Sequence, residues 1–139
     1  MPDKNRFTTK NTKGTKMEFD VLSNQVIGLA IEVHRELGPE LLESAYENCL
    51  AHELKEHGIE YETQKSLPVS YKGLDLDCGY RVDMVVEGKL IVELKSADTL
   101  QPIHEAQLLT YMKLANIKTG LLINFNTGLL KNGIKRFVL

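Results

Sequence analysis

Two short apolar runs joined by a three-residue link constrain this chain more than any other feature. Arg81-Val82-Asp83-Met84-Val85-Val86 and Leu90-Ile91-Val92-Glu93-Leu94-Lys95 flank Glu87-Gly88-Lys89. Branched apolar residues on both sides of a glycine-containing link read as a β-hairpin. Yet each strand carries ionised groups at its end far from the turn. Burying a carboxylate without a partner costs several kcal/mol, so Asp83, Glu93 and Lys95 placed together suggest a site. Side chains alternate along a strand, which puts Glu93 and Lys95 on one face. Asp83 joins that face if the link has an odd number of residues, as Glu87-Gly88-Lys89 does, or if a bulge intervenes.

The chemistry of such a trio is specific. Two carboxylates offer hard oxygen ligands to Mg²⁺ or Mn²⁺, ions that keep waters in their other positions. A metal held there lowers the pKa of a bound water and stabilises charge on phosphate oxygens. A neighbouring lysine orients the attacking water or stabilises developing negative charge. The plainer alternative is a surface ion pair between Glu93 and Lys95. The Glu-x-Lys pattern alone is weak, because Glu53-Leu54-Lys55 repeats it. That copy falls in a helical stretch, where i and i+2 point apart, so context favours the strand copy.

The rest of the chain supplies the scaffold. From Asp20 to Leu37, Val21, Leu22, Val26, Leu29, Ala30, Val33 and Leu37 recur at helical spacing until Gly38-Pro39. A second helix runs from about Leu41 to His57, with Gly58 as its C-terminal stop. Ile59–Glu62, Leu67–Tyr71 and Leu74–Val86 read as strands, followed by Leu90–Lys95. Pro102 opens a helix over Ile103–Asn116. Thr119–Asn126 is a buried strand by composition, Asn132-Gly133 a turn, and Ile134–Leu139 a closing strand. The order ααββββαββ predicts an α/β sandwich, a mixed β-sheet flanked by helices.

At 139 residues, 42% hydrophobic and 26% charged, the chain suits one globular domain, expected over 17–139. Residues 1–16 hold Lys4, Arg6, Lys10, Lys13 and Lys16 against Asp3 alone. They have little to bury and are expected to be a disordered basic extension. The net charge of −2 argues against a generally basic nucleic-acid binder, though not against an enzyme with an acidic site. No apolar run reaches the roughly 20 residues of a membrane span, and no signal-peptide core opens the chain. Cys49 and Cys78 match no metal-ligand spacing and read as reduced thiols. The expected location is cytoplasmic.

Further residues line up with the hairpin. Gln107 and Tyr111 stand at i and i+4 on one helical face, with His104 a turn earlier. Glu43 and Tyr46 stand at i and i+3 in the second helix. Each has an ordinary reading: core packing for the tyrosines, solvation for His104 and Glu43. Together, however, the chain resembles the GxxExxY protein family, a branch of the PD-(D/E)XK nuclease superfamily related to RecB-type nuclease domains. The resemblance covers roughly Val21 to the C-terminus. It rests on Ile31-Glu32-Val33-His34-Arg35-Glu36-Leu37-Gly38-Pro39, Leu42-Glu43-Ser44-Ala45-Tyr46-Glu47, Arg81-Val82-Asp83, Val92-Glu93-Leu94-Lys95, Ala106-Gln107 with Tyr111, and Leu121-Leu122-Ile123-Asn124-Phe125. It implies Asp83 and Glu93 as metal ligands and Lys95 as the catalytic lysine. It further implies Glu43 as an acidic residue near the metal, Gln107 and Tyr111 lining the site, and His34 as the family's histidine and a candidate ligand. Two positions depart from the pattern: Glu40 stands where the family's first glycine falls, and Val82 stands where the superfamily often has proline.

The expected function is therefore Mg²⁺- or Mn²⁺-dependent hydrolysis of nucleic-acid phosphodiesters, with DNA the expected substrate. No membrane partner is expected, and homodimerisation is left open. Two rivals stand beside this reading: a catalytically silent nucleic-acid-binding or protein-interaction module on a nuclease-like fold, and a metal-dependent hydrolase of a small phosphorylated molecule.

Overall fold

The structure is a computed structural model that describes residues 13–139. Helix α1 spans Lys13–Leu37 and α2 spans Glu43–Glu56. Strands β1 (Tyr61–Ser66), β2 (Val69–Tyr71), β3 (Leu74–Leu76), β4 (Arg81–Val86) and β5 (Leu90–Lys95) follow. Helix α3 (Pro102–Ala115), β6 (Thr119–Asn124), a single 3₁₀ turn (Leu130–Gly133) and β7 (Ile134–Val138) complete the chain. The expected basic extension lies outside the described residues up to position 12, and α1 begins at Lys13, earlier than the Asp20 start that the apolar periodicity predicts.

The main sheet has the order β1-β4-β5-β6-β7. Only β5 and β6 pair in parallel, with α3 as the crossover between them; the other neighbours are antiparallel. The sheet is thus mixed, as the element order implies. The expected long strand Leu74–Val86 breaks in two. Asp77 turns the chain by accepting the Gly79 N–H at 3.0 Å, and Gly79 sits at φ 81°, a left-handed conformation that glycine adopts without steric penalty. β2 and β3 consequently pair as a separate two-stranded arm.

Strand alternation explains the layers. Leu90, Val92 and Leu94 of β5 pack with Met84, Val86, Leu121 and Ile123 against α1 and α2. Val85, Ile91 and Leu122 point the other way, onto Leu108, Tyr111 and Met112 of α3. Gly120 lets α3 sit close to the sheet, because a Cβ there would stand 2.8 Å from the Met112 sulfur and push that side chain aside. Glu93 and Lys95 lie between or beyond residues of the α1–α2 side, so their side chains belong to the α3 side.

The link between α1 and α2 forms with Glu40 in place of a glycine. Glu40 takes φ 75°, the region that glycine occupies most cheaply. Tyr46 pins the link: its hydroxyl donates to the Gly38 carbonyl and accepts from the Leu41 N–H at 3.2 Å. Its ring stacks on Phe125 at 4.3 Å between centroids. Tyr46 is fully buried, so both hydroxyl bonds satisfy a group that would otherwise be costly there.

Candidate active site

The hairpin registers Val86 with Leu90, Val85 with Ile91 and Met84 with Val92. One step further, Asp83 faces Glu93, as the odd link requires. Here the backbone ladder stops and the side chains take over. Glu93 Oε2 accepts the Asp83 N–H at 2.8 Å. Asp83 Oδ2 accepts the Leu94 N–H at 2.8 Å. Each carboxylate therefore spends one oxygen on the opposing strand, and the strands part around them.

Glu93 is only 4% exposed. Burial, then the Asp83 charge, push its carboxyl from 4.5 to about 8; the Asp83 N–H and the Lys95 charge oppose the shift, and Glu43 adds to it. Asp83 is half-buried. Lys95, beyond Glu93 on the same strand face, donates from Nζ to Gln107 Oε1 at 3.2 Å. Gln107 Nε2 in turn donates to the Tyr111 hydroxyl at 3.0 Å. Tyr111 is raised above the usual tyrosine value by burial and by the Glu93 charge. One chain of contacts thus joins β4, β5 and α3.

Helix α2 contributes from another direction. Glu43 and Glu47 lie one helical turn apart. The field of Glu43 reaches both Glu93 and Glu47. Glu47 is raised above the ordinary carboxylate value, first by burial and then by Asp83 and Glu43, against the opposing Gln64 hydrogen bond. Gln64 Nε2 donates to Glu47 Oε1 at 2.7 Å and to Asp83 Oδ1 at 3.3 Å, from a left-handed backbone at φ 51°. A non-glycine residue held there is uncommon.

The structure thus brings Asp83, Glu93, Lys95, Gln107 and Tyr111 into one network and sets Glu43 within its field. It places His34 elsewhere: Nε2 lies 2.8 Å from the Thr127 carbonyl, and the ring tilts against Phe125. His104 caps α3 by accepting the Gln101 N–H at 2.9 Å. Glu47 and Gln64 were not singled out in the sequence. Glu47 had a signal, since it follows Glu43 by four helical positions. Gln64 had none, because it sits in an undistinguished polar strand. Asn124 also acquires a role. Its side chain is bound to Ala97 through both N–H and C=O, at 3.0 and 2.9 Å, fixing the loop that leaves Lys95.

The donor set suits a hard divalent cation. Asp83 and Glu93 keep oxygens beyond those bound to the backbone, and a buried carboxyl as high as Glu93 marks a place where cationic charge is wanting. Among the described residues no group of three or more His, Cys, Asp and Glu is arranged to hold a metal. Asp83 and Glu93 would hold such a cation, with water at other positions, the manner in which Mg²⁺ is commonly held.

A model of the PD-(D/E)XK nuclease superfamily matches residues 20–137. The chain belongs to this superfamily. No curated protein and no solved structure matches it. The match spans every element of the site, from α2 to α3. Members of the superfamily are usually metal-dependent nucleases. Among the described residues no helix is long and apolar enough to cross a membrane.

Proposed function

We propose that this protein is a Mg²⁺- or Mn²⁺-dependent nuclease of the GxxExxY branch, hydrolysing nucleic-acid phosphodiesters, with DNA as its substrate. The observation that carries this reading is the meeting of Asp83 and Glu93 where the β4–β5 ladder gives way, with Lys95 beside them and tied to α3. Asp83 and Glu93 would hold the metal, with Glu43 adding negative charge nearby. When bound, the metal neutralises phosphate charge and makes a coordinated water more acidic.

The protein's own groups do the positioning. Asp83 and Glu93 are fixed by backbone N–H donors and lose little freedom on binding. Lys95 presents its ammonium to the attacking water and to charge developing on the phosphate. Gln107 aims that ammonium, and Tyr111 fixes the Gln107 amide. His34 steadies the segment that carries Thr127 rather than joining the ligands.

A binding module without turnover is the rival, favoured by the carboxylates' engagement with the backbone. Incubation of purified protein with single- and double-stranded DNA and RNA, in Mg²⁺, Mn²⁺ or EDTA, separates the two. Cleavage that needs metal is expected. Binding with no cleavage in either metal leaves the module reading.

A further inference from the structure

The β2–β3 arm exposes an apolar and aromatic face beside the site. Val69 pairs with Leu76, and Tyr71 with Leu74, so these four side chains share one face of the arm. Tyr71 is 59% exposed, Leu74 57% and Leu76 39%. The chain then returns through Tyr80, itself 42% exposed. Among the described residues, Tyr71 and Tyr80 are the large exposed aromatics, and both lie in this one segment.

The arm is continuous with the site. The Tyr80 ring meets Tyr111 edge-on, 6.3 Å between centroids and 62° between planes. Tyr111 binds Gln107, and Gln107 receives Lys95. The Tyr80 carbonyl also accepts the Leu67 N–H at 2.9 Å, which secures the root of the arm. A cation is at hand for a phosphate backbone: Lys72 at the arm's tip lies 5.3 Å over the Tyr71 ring. Asp75 points to the opposite face of the arm with Ser70, and Asp77 is committed to the Gly79 N–H.

We infer that the β2–β3 arm and Tyr80 form a stacking platform for the bases of a single-stranded nucleic acid whose backbone runs to the carboxylate site. Aromatic faces recognise bases with little sequence preference, but only bases whose faces are free. In a duplex those faces are covered by neighbours, so the platform selects single strands, overhangs or frayed ends over intact duplex. This rests on the nuclease reading of the site, of which it names the substrate class.

Binding, measured apart from cleavage, tests it. Fluorescence anisotropy in EDTA with a labelled single-stranded oligonucleotide, its abasic counterpart and a blunt duplex compares wild type with Tyr80→Ala, Tyr80→Phe and Tyr71→Ala. Wild type is expected to prefer the single strand to both other ligands. Tyr80→Ala is expected to weaken single-strand binding by about 5- to 100-fold, the loss of one stacked base, and to leave abasic binding unchanged. Tyr80→Phe, which keeps the ring, retains the affinity, and a native circular dichroism spectrum of Tyr80→Ala excludes misfolding as the cause of its loss. Equal affinity for base-bearing and abasic strands overturns the inference. So does a wild-type dimer in sedimentation that Tyr71→Ala abolishes with strand binding intact, which would mark the face as a contact between copies. If nothing is cleaved in any metal but the preference for bases stands, the nuclease reading fails and the platform does not.

Discussion

Replacing Glu93 with glutamine tests the physical core of the site without touching its shape. The carboxyl is pushed from 4.5 to about 8 by burial and by Asp83. A carboxyl raised by folding contributes no penalty below its unfolded value, where both states are protonated. Above that value the unfolded chain ionises and the folded one resists, so stability falls as pH rises until the folded pKa is passed. The full difference corresponds to about 5 kcal/mol, of which roughly 2 is lost by pH 6 and about 4 by pH 8. Glutamine mimics the protonated acid, and its carbonyl still accepts the Asp83 N–H. Metal-free Glu93→Gln should therefore match wild type near pH 4.5 and exceed it by about 4 kcal/mol at pH 8. For a domain of this size that is more than about 10 °C in Tm. Urea titrations from pH 4.5 to 8.5 in EDTA measure the gap directly. Millimolar Mn²⁺ should close it at pH 8 by stabilising wild type and not the variant. A gap that stays constant with pH would show that Glu93 is charged throughout the range, and the argument for a cation-seeking site would go with it.

Lys95→Ala and Asp83→Ala should each lower cleavage at least about a hundredfold. The double variant should be little worse than the poorer single one, because the groups act as a unit; DNA binding should survive in all three, as gel shift and cleavage assays on the same preparations would reveal. Glu40→Gly should raise stability by about 1 kcal/mol, read as a higher urea midpoint, because Glu40 holds φ 75° against its side chain's preference; a lower midpoint contradicts that. Gly133→Ala should cost at least about 2 kcal/mol, since its Cβ would stand 2.3 Å from the Asn124 carbonyl oxygen; an unchanged melting temperature would mean that the turn relaxes freely.

Much of this was legible in the sequence because it follows from period and parity. The odd Glu87-Gly88-Lys89 link sets Asp83 opposite Glu93, and the i, i+4 spacing sets Gln107 beside Tyr111. The helix boundaries near Gly38-Pro39 and Pro102 follow from backbone rules. What escaped depends on contacts between segments far apart. Gln64 reaches Asp83 only because β1 pairs with β4, and no local pattern announces it. The break in Leu74–Val86 turned on Asp77 and Gly79, whose turn chemistry was hidden within a run of strand-forming residues. His34 is implied as a ligand only by the family resemblance, and its bond to the Thr127 carbonyl is set by where α1 crosses the loop after β6.

The exchange of carboxylate oxygens for ladder acceptors has an evolutionary side. Asp83 and Glu93 close the backbone bonds that the parted strands leave open, so they serve the fold as well as any reaction. Selection for stability alone penalises their replacement by alanine, which would orphan a buried N–H, but not the replacement of Glu93 by glutamine, whose carbonyl still accepts. A lineage without turnover would still tend to keep an acceptor at both positions, an acid or its amide. Lys95 has no such second duty: its ammonium binds a side chain, Gln107, and no backbone group depends on it. Among descendants of this fold, the lysine, and an acid rather than its amide at position 93, are the features whose persistence records chemistry.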